Sequence, residues 1–452
     1  MSEKMDEKLY ISHLTELLND RDYASLLSEL REDNEVDIAL FMETLPDDET
    51  AFVFRMLPKE ICAEVFAHLE SDTQRRVVEA FTDEETTQML DQLFVDDAVD
   101  FLEEMPANMV NRILRLTNPD KRRVINRYLQ YPEDSAGSIM TAEYTRLKQD
   151  MTVAQAITHL RTFGEDRETI YTCYVTDEQR FLEGVISVKA ILLADDGERI
   201  GDIMETDIIS VNTTMDREEV VRLFHKYNFL AIPVVDNENR LVGIVTIDDA
   251  VDVMQEETTE DFEKMAAIAP SEKPYLKTSF WQHGMHRITW LFILMVSGMI
   301  NGLILEKHEA AFIAYPLLVS FIPMLTDTGG NVGSQSSTLM IRGMTLGEIK
   351  ISDIFRVIIK ESATSLLMGT VLSAVNFVRV YLIYRDFTTA LILALAMIAT
   401  VFMAAVIGGI LPLIAKKLRI DPAIMAAPLI TTLVDAAALA IYFAIAVALL
   451  KI

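Results

Sequence analysis

The sequence predicts a multidomain chain in three parts: an all-α N-terminal solenoid, an α/β pair of related units, and an all-α transmembrane domain of five helices. Three observations carry that reading. A 12-residue hydrophobic repeat occupies the region up to residue 131, and a strand, helix, strand, strand, helix pattern occurs twice between residues 132 and 255. From residue 283 onward the chain holds apolar segments of the length that crosses a bilayer, roughly 20 residues each.

Charge divides along the same line. The 452 residues carry 40 Lys+Arg against 69 Asp+Glu, a net charge of −29. Residues 1–282 hold 60 of the acids and 28 of the bases, whereas 283–452 hold 9 acids and 12 bases. A field that negative repels nucleic acid and anionic headgroups and draws in metal cations, so nucleic acid is excluded as a partner of the soluble part. Cys62 and Cys173 are too far apart to make a disulfide framework or a zinc site, and read as small buried residues in a reducing compartment. The opening MSEKMDEKLYISHL is charged and lacks an apolar core, so the N-terminus is expected to stay in the cytoplasm.

In the first part, Leu45-Pro46, Leu57-Pro58, Leu69-Glu70, Phe81-Thr82, Leu93-Phe94 and Met105-Pro106 recur every 12 residues. Each unit reads as one short amphipathic helix entered by an acid-rich cap, and stacking buries the apolar faces as a solenoid. The outer face is acidic. Asp96 and Asp100 fall one helical turn apart, a spacing that is mildly destabilising unless a cation sits between them.

The paired units span about 138–200 and 201–255. The first passes through VAQAITHLR and IYTCYVTD to GVISVKAILLA; the second passes through REEVVRLFHKYN and FLAIPVVD to GIVTIDDAVDVM. With the same spacing twice in order, the region resembles a tandem pair of CBS domains. Such pairs often bind adenosine nucleotides through a Thr and an Asp three residues later, which here fall on Thr246 and Asp249 in the second copy. In the first copy the matching residues are Ser187 and Ala190. The resemblance implies one competent ATP site, with Tyr174 and Phe229 as candidates to flank the base.

Residues 256–282 form an acidic, helix-favouring connector that includes Glu256 and Glu260 and runs toward Pro270 and Pro274. Beyond it, five membrane segments are expected: Ile288–Leu305, Ala310–Ile341, Ser362–Val378, Phe387–Ala415 and Pro422–Leu450. The stretch MTLGEIKISDIFRVIIKE is too charged to span and is expected to lie along the interface. Eight basic residues flank the segment ends on one side against four on the other, which orients the N-terminus inside and the C-terminus outside.

Asp435 is the only charge in the last segment and Asp327 the only one in the second. A lone carboxylate at membrane depth costs about 2.5–3.5 kcal/mol on insertion scales, so it faces protein or a water-filled path. The second segment also carries PMLTDTGGNVGSQSS, whose proline and glycines predict a broken helix. The alternative for its glycines is close helix packing. Asp327, Asn331 and Gln335, at i, i+4 and i+8, form one polar stripe of hard oxygen and amide groups suited to Mg²⁺ or Ca²⁺.

With P-x-x-x-D-x-G-G-N-x-G-x-Q in the second segment and P-L-I-T-T-x-x-D in the last, behind a 12-residue repeat, a CBS pair and an acidic connector, the whole chain resembles the MgtE magnesium channels. The resemblance implies a homodimer in a lipid bilayer whose pore carries Mg²⁺ past Asp435, with Gly329, Gly330 and Asn331 beside it. It also implies that cytosolic Mg²⁺ closes the pore by bridging acids that fall on Asp96, Asp100, Asp249 and Asp252. Glu256 and Glu260 on the connector share that acid character. Ala436, Ala437 and Ala438 stand where many relatives have glycine, and Ala427 where they have a polar residue, which bears on selectivity. Two other readings remain open: a membrane-anchored CBS sensor that transports nothing, and a channel for another divalent ion such as Co²⁺ or Ca²⁺. A chloride channel is disfavoured by the lone acids, and no nucleophile, base and oxyanion grouping supports an enzyme.

Overall fold

The 12-residue period becomes short helices in a computed structural model that describes residues 7–271, 275–309, 313, 315–425 and 427–450. The N-terminal part contains α1 (Glu7–Asn19), α2 (Tyr23–Leu30), α3 (Glu35–Glu43), α4 (Asp47–Met56), α5 (Lys59–Ala67), α6 (Ser71–Ala80), α7 (Asp83–Gln92), α8 (Val95–Glu103), α9 (Ala107–Leu116) and α10 (Pro119–Tyr128). From α4 onward each unit is a helix of nine or ten residues and a turn of two or three. Turns that short reverse the chain, so α3 packs on α5, α5 on α7 and α7 on α9, while α4 packs on α6 and α8 on α10. The repeated hydrophobe at each helix end, Leu45, Leu57, Leu69, Phe81, Leu93 and Met105, is buried.

The acids act differently from the expected caps. Pro46, Pro58 and Pro106 occupy the N-cap positions with no side-chain hydrogen bond, whereas Thr82 closes a capping box with Glu85. Asp47, Asp48, Asp83 and Asp96 instead lie in first turns, where the helix dipole favours negative charge. Phe54, Phe66 and Phe101 pack edge to face along the interior, with centroids 6.1 and 5.1 Å apart.

Each paired unit is a three-stranded sheet with helices. The first contains β1 (Tyr144–Leu147), α11 (Val153–Phe163), β2 (Thr169–Thr176), β3 (Leu182–Ser187), α12 (Val188–Leu193) and a short α13 (Ile200–Ile203). The second contains β4 (Val211–Asn212), α14 (Arg217–Tyr227), β5 (Ala231–Val235), β6 (Leu241–Thr246) and α15 (Ile247–Met265). In both, the first strand pairs parallel with the second and the second antiparallel with the third. Cys173 is buried in β2, and burial pushes its thiol up to about 12, so it is inert packing.

The chain divides into two compact units, residues 1–254 and 255–452, so the division falls inside the unbroken α15. The second unit contains α16 (Phe280–Lys307), α17 (Ile322–Thr345), α18 (Ile354–Tyr384), α19 (Phe387–Lys417) and α20 (Ala427–Leu450). Helix α19 packs on α17, α18 and α20; α20 also holds α16 and α17.

Three expectations change here. Among the described residues four helices are long and apolar enough to cross a membrane, and α17 is not one of them. At 24 residues it spans about 36 Å, so its polarity and not its length sets it apart. Nor is α17 broken: Pro323 sits in its first turn, where no N–H is missed, and Gly329, Gly330 and Gly333 are helical and buried. Of the segment expected along the interface, the part from Ile354 to Glu361 joins the next long helix instead, with α18 running from Ile354 without interruption. Pro274 and the second segment's start, at 310–312 and 314, lie outside the described residues.

The glycines serve packing. A Cβ on Gly408 of α19 would fall 2.2 Å from the Gly333 carbonyl oxygen of α17, so the two backbones touch. Gly408→Ala is therefore expected to destabilise the membrane unit by about 1–3 kcal/mol, read as a lower unfolding temperature in detergent. An unchanged midpoint would mean that the helices do not meet here.

Candidate functional site

Two groups of carboxylates stand apart from the ordinary acidic surface. The first lies in the membrane unit. A Cβ on Gly329 would fall 2.8 Å from Thr400 Cγ2 and 2.9 Å from Val434 Cγ1, and one on Gly330 would fall 2.9 Å from Thr431 Cγ2. Small residues thus let α17 lie against α19 and α20. Both ends are tied: Ser337 Oγ donates to the Met425 carbonyl at 2.7 Å, and Tyr442 donates to the Leu318 carbonyl at 2.9 Å.

This packing brings Asp327 of α17 into electrostatic reach of Asp435 of α20. Asp435 Oδ1 is closed off from solvent in the single chain and has no hydrogen-bond partner among the described residues. A buried acceptor left unmatched is costly, by about 1–3 kcal/mol, and calls for a donor or a cation. On α17 the glycine face is buried, while Asp327, Asn331 and Gln335 are exposed on one stripe. Glu361, expected at the interface, is instead buried on α18 and accepts from Ser336 Oγ at 2.7 Å.

The second group lies in the soluble unit. Asp96 opens α8 and Asp249 opens α15, and the two are electrostatic neighbours. Residues that the sequence did not single out join them: Asp97, Glu143, Glu168 and Asp248. Burial holds Asp96 well above the ordinary carboxylate range, and the charges of Asp97, Asp249, Glu168 and Glu143 push it further. Burial likewise raises Asp97 and Asp249 to about 6 and Glu168 to about 7, against the lowering effect of His68 and Lys121 on Asp97 and of the Thr246 hydrogen bond on Asp249. Asp96 Oδ1 has no hydrogen-bond partner among the described residues. The nearby Lys121 gives its ammonium to the Leu90 and Leu93 carbonyls instead.

Buried mutual repulsion with an unmatched oxygen suits a hard divalent cation. Among the described residues no three acidic or histidine ligands form a ready-made coordination shell, so an ion here would draw the carboxylates together or bridge them through its own water. Of the other sequence candidates, Asp100, Asp252 and Glu256 are exposed. Glu260 receives the Lys264 ammonium at 2.6 Å, and that ammonium also reaches Asp421 at 2.7 Å.

Protons and metal should compete for the cluster. Carboxylates whose folded values are raised keep protons that the unfolded chain releases, so stability falls as pH rises from about 4 through about 7. The metal-free protein is expected to unfold at higher temperature at pH of about 5.5 than at about 8, and Mg²⁺ to stabilise it more at about 8. Mg²⁺ protection that is equal at both pH values would sink this account.

The nucleotide residues are only partly as expected. Thr246 Oγ1 donates to Asp249 Oδ2 at 2.5 Å, so the pair is already joined. Tyr174 is fully buried and edge-on to Tyr144, and it cannot flank a base. Three residues earlier on the same strand, Tyr171 points to the other face and is 67% exposed. Cys173, Tyr174, Val175 and Thr176 are all buried, so place along the strand and not alternation separates the two tyrosines. Phe229 is partly buried and stacks on Tyr227 at 5.4 Å.

A bundle with acids and amides on its membrane helices, attached to an acid-rich soluble unit, defines a membrane cation transporter. Residues 322–445 match the MgtE divalent cation transporter family, 33–134 the MgtE intracellular N domain and 200–256 the CBS domain. The magnesium transporter MgtE of Thermus thermophilus is 36% identical over 99% of this chain and 100% of its own length. That of Bacillus subtilis is 33% identical over 95% and 94%. Residues matching 54% of the chain resemble the crystal structure of the cytosolic domain of the Mg²⁺ channel MgtE in complex with ATP, at 36% identity, TM-score 0.51 and 99% of that chain. The soluble part of a magnesium transporter matches 56% of this chain and 99% of its own, with TM-score 0.53 and 28% identity. This chain belongs to the MgtE family.

Proposed function

We propose that this chain carries Mg²⁺ into the cell as a homodimer, along a path lined by Asp435, Asp327, Asn331 and the backbone near Gly329 and Gly330. The observation behind it is the unmatched Asp435 Oδ1 beside Asp327, on helices whose polar stripe is left uncovered in the single chain. A second copy facing that stripe would enclose it, and paired carboxylates attract a hydrated Mg²⁺ without having to strip its water. The N-terminus and the acidic unit then lie in the cytoplasm of a cell-membrane protein. Domain limits at 131, 255 and 282 separate helical part, CBS pair, connector and pore.

Internal Mg²⁺ closes the path by binding the cluster around Asp96 and Asp249, with Asp100, Asp252, Glu256 and Glu260 adding to the field. The ion need only favour the closed state over the open one. ATP, bound by the relative's cytosolic domain, is assigned to the Thr246–Asp249 segment. Flux of Mg²⁺ into liposomes holding the full chain tests the reading. Uptake blocked by internal Mg²⁺ supports it; no flux, or flux of chloride in its place, overturns it.

A further inference from the structure

A cavity of about 330 Å³ lies in the soluble unit and gathers Arg127, Arg180 and Arg240, with Glu178 and Asp236 at its wall. In a region with more than two acids for every base, three guanidinium groups at one cavity are unexpected. They come from three places. Arg127 ends α10 of the helical part, Arg180 sits in the turn between β2 and β3, and Arg240 follows the turn between β5 and β6.

The two turns are fixed to each other. Leu241 N donates to the Arg180 carbonyl at 2.8 Å, and Phe181 and Arg240 form an isolated bridge. Each turn is shaped by an aspartate: Asp177 Oδ1 accepts from Phe181 N at 2.8 Å, and Asp236 Oδ1 accepts from Glu238 N and Arg240 N at 2.9 Å. Asp236 therefore already serves backbone. Arg180 holds φ at 69°, a left-handed conformation that glycine or asparagine adopts at less cost. A strained position filled by a long cationic residue suggests a use for the cation.

The two wall acids offset only part of the charge of the three guanidinium groups. Glu178 pairs with Lys148 at 3.4 Å. Arg240 pairs with Glu238 at 2.5 Å and lies over the Phe181 ring, but Arg127 and Arg180 meet no carboxylate among the described residues. Two guanidinium forks thus stay open toward one small space, beside a third that is held by stacking. Forks of this kind bind phosphate oxygens in pairs.

We infer that this cavity binds a small phosphate-bearing anion of two or more charges, and that the bound anion ties α10 of the helical part to the turns of the paired sheets. Its volume is at the small end for ligand sites and suits a pyrophosphate group, not a polymer. It is also separate from the nucleotide segment: the cavity meets β6 at Leu241 and Val242, whereas Thr246 ends that strand, about 13 Å beyond Val242 for four residues of extended chain.

Titration of the full-length protein in detergent with inorganic pyrophosphate, in EDTA so that no metal complex forms, tests this. Saturable binding is expected, weakening as KCl rises and at least about tenfold weaker in Arg127→Ala and Arg180→Ala. Both residues are exposed, so the variants should fold, and unchanged circular dichroism checks it. Thr246→Val separates the sources of phosphate. Pyrophosphate binding kept in that variant supports the cavity, with ATP competing only if its own phosphates enter there. Binding that is unchanged in both arginine variants, lost in Thr246→Val, or not saturable overturns the proposal.

Discussion

Asp435→Ala is expected to lose Mg²⁺ uptake by at least about tenfold while the protein still inserts in the membrane. A unit charge pair at 4 Å is worth about 4 kcal/mol at an effective dielectric of 20, and about 1.4 kcal/mol is already tenfold in occupancy. Removing the carboxylate thus removes more attraction than the path needs to lose. Asp435→Asn distinguishes charge from packing, because it keeps the volume and leaves Val434 against α17. It should fail like the alanine variant in liposome flux. Wild-type flux in either variant would take Asp435 out of the path.

Paired replacement of Asp96 and Asp249 by asparagine is expected to act on control and leave conduction itself intact. In the wild-type protein burial and mutual repulsion raise both carboxylates, and on the proposed reading Mg²⁺ acts by cancelling that repulsion. Neutral amides remove both effects. The metal-free unfolding temperature should rise, the stabilisation by Mg²⁺ should shrink, and the ratio of flux at low to high internal Mg²⁺ should fall toward one. An inhibition midpoint equal to the wild type would show that the sensor lies elsewhere.

The two sites were legible in the sequence to different degrees. Asp435 and Asp327 were readable because a charge inside an apolar run needs no partner list to be unusual. The i, i+4, i+8 stripe was readable because helix periodicity fixes which residues share a face. The soluble cluster was half readable: Asp96 stood out by its spacing to Asp100 and Asp249 came from the resemblance, but Glu143 and Glu168 belong to loops around β1 and β2 and meet Asp96 only through the tertiary arrangement. Tyr174 was misplaced because both faces of β2 are covered from Cys173 to Thr176, which only the tertiary packing decides.

The sequence by itself determined the order of parts, the 12-residue helical pitch, the doubled strand pattern and the charge divide, because each is a periodicity or a sum along the chain. Tertiary structure alone decided three matters. Gly329, Gly330 and Gly333 pack a continuous helix and do not break one, since α19 and α20 approach them closely enough to exclude any side chain. Charged residues up to Glu361 join the span of α18, since Ser336 satisfies that carboxylate in the interior. And six acids scattered from residue 96 to 249 become one repelling cluster, since burial strengthens a repulsion that water would otherwise screen.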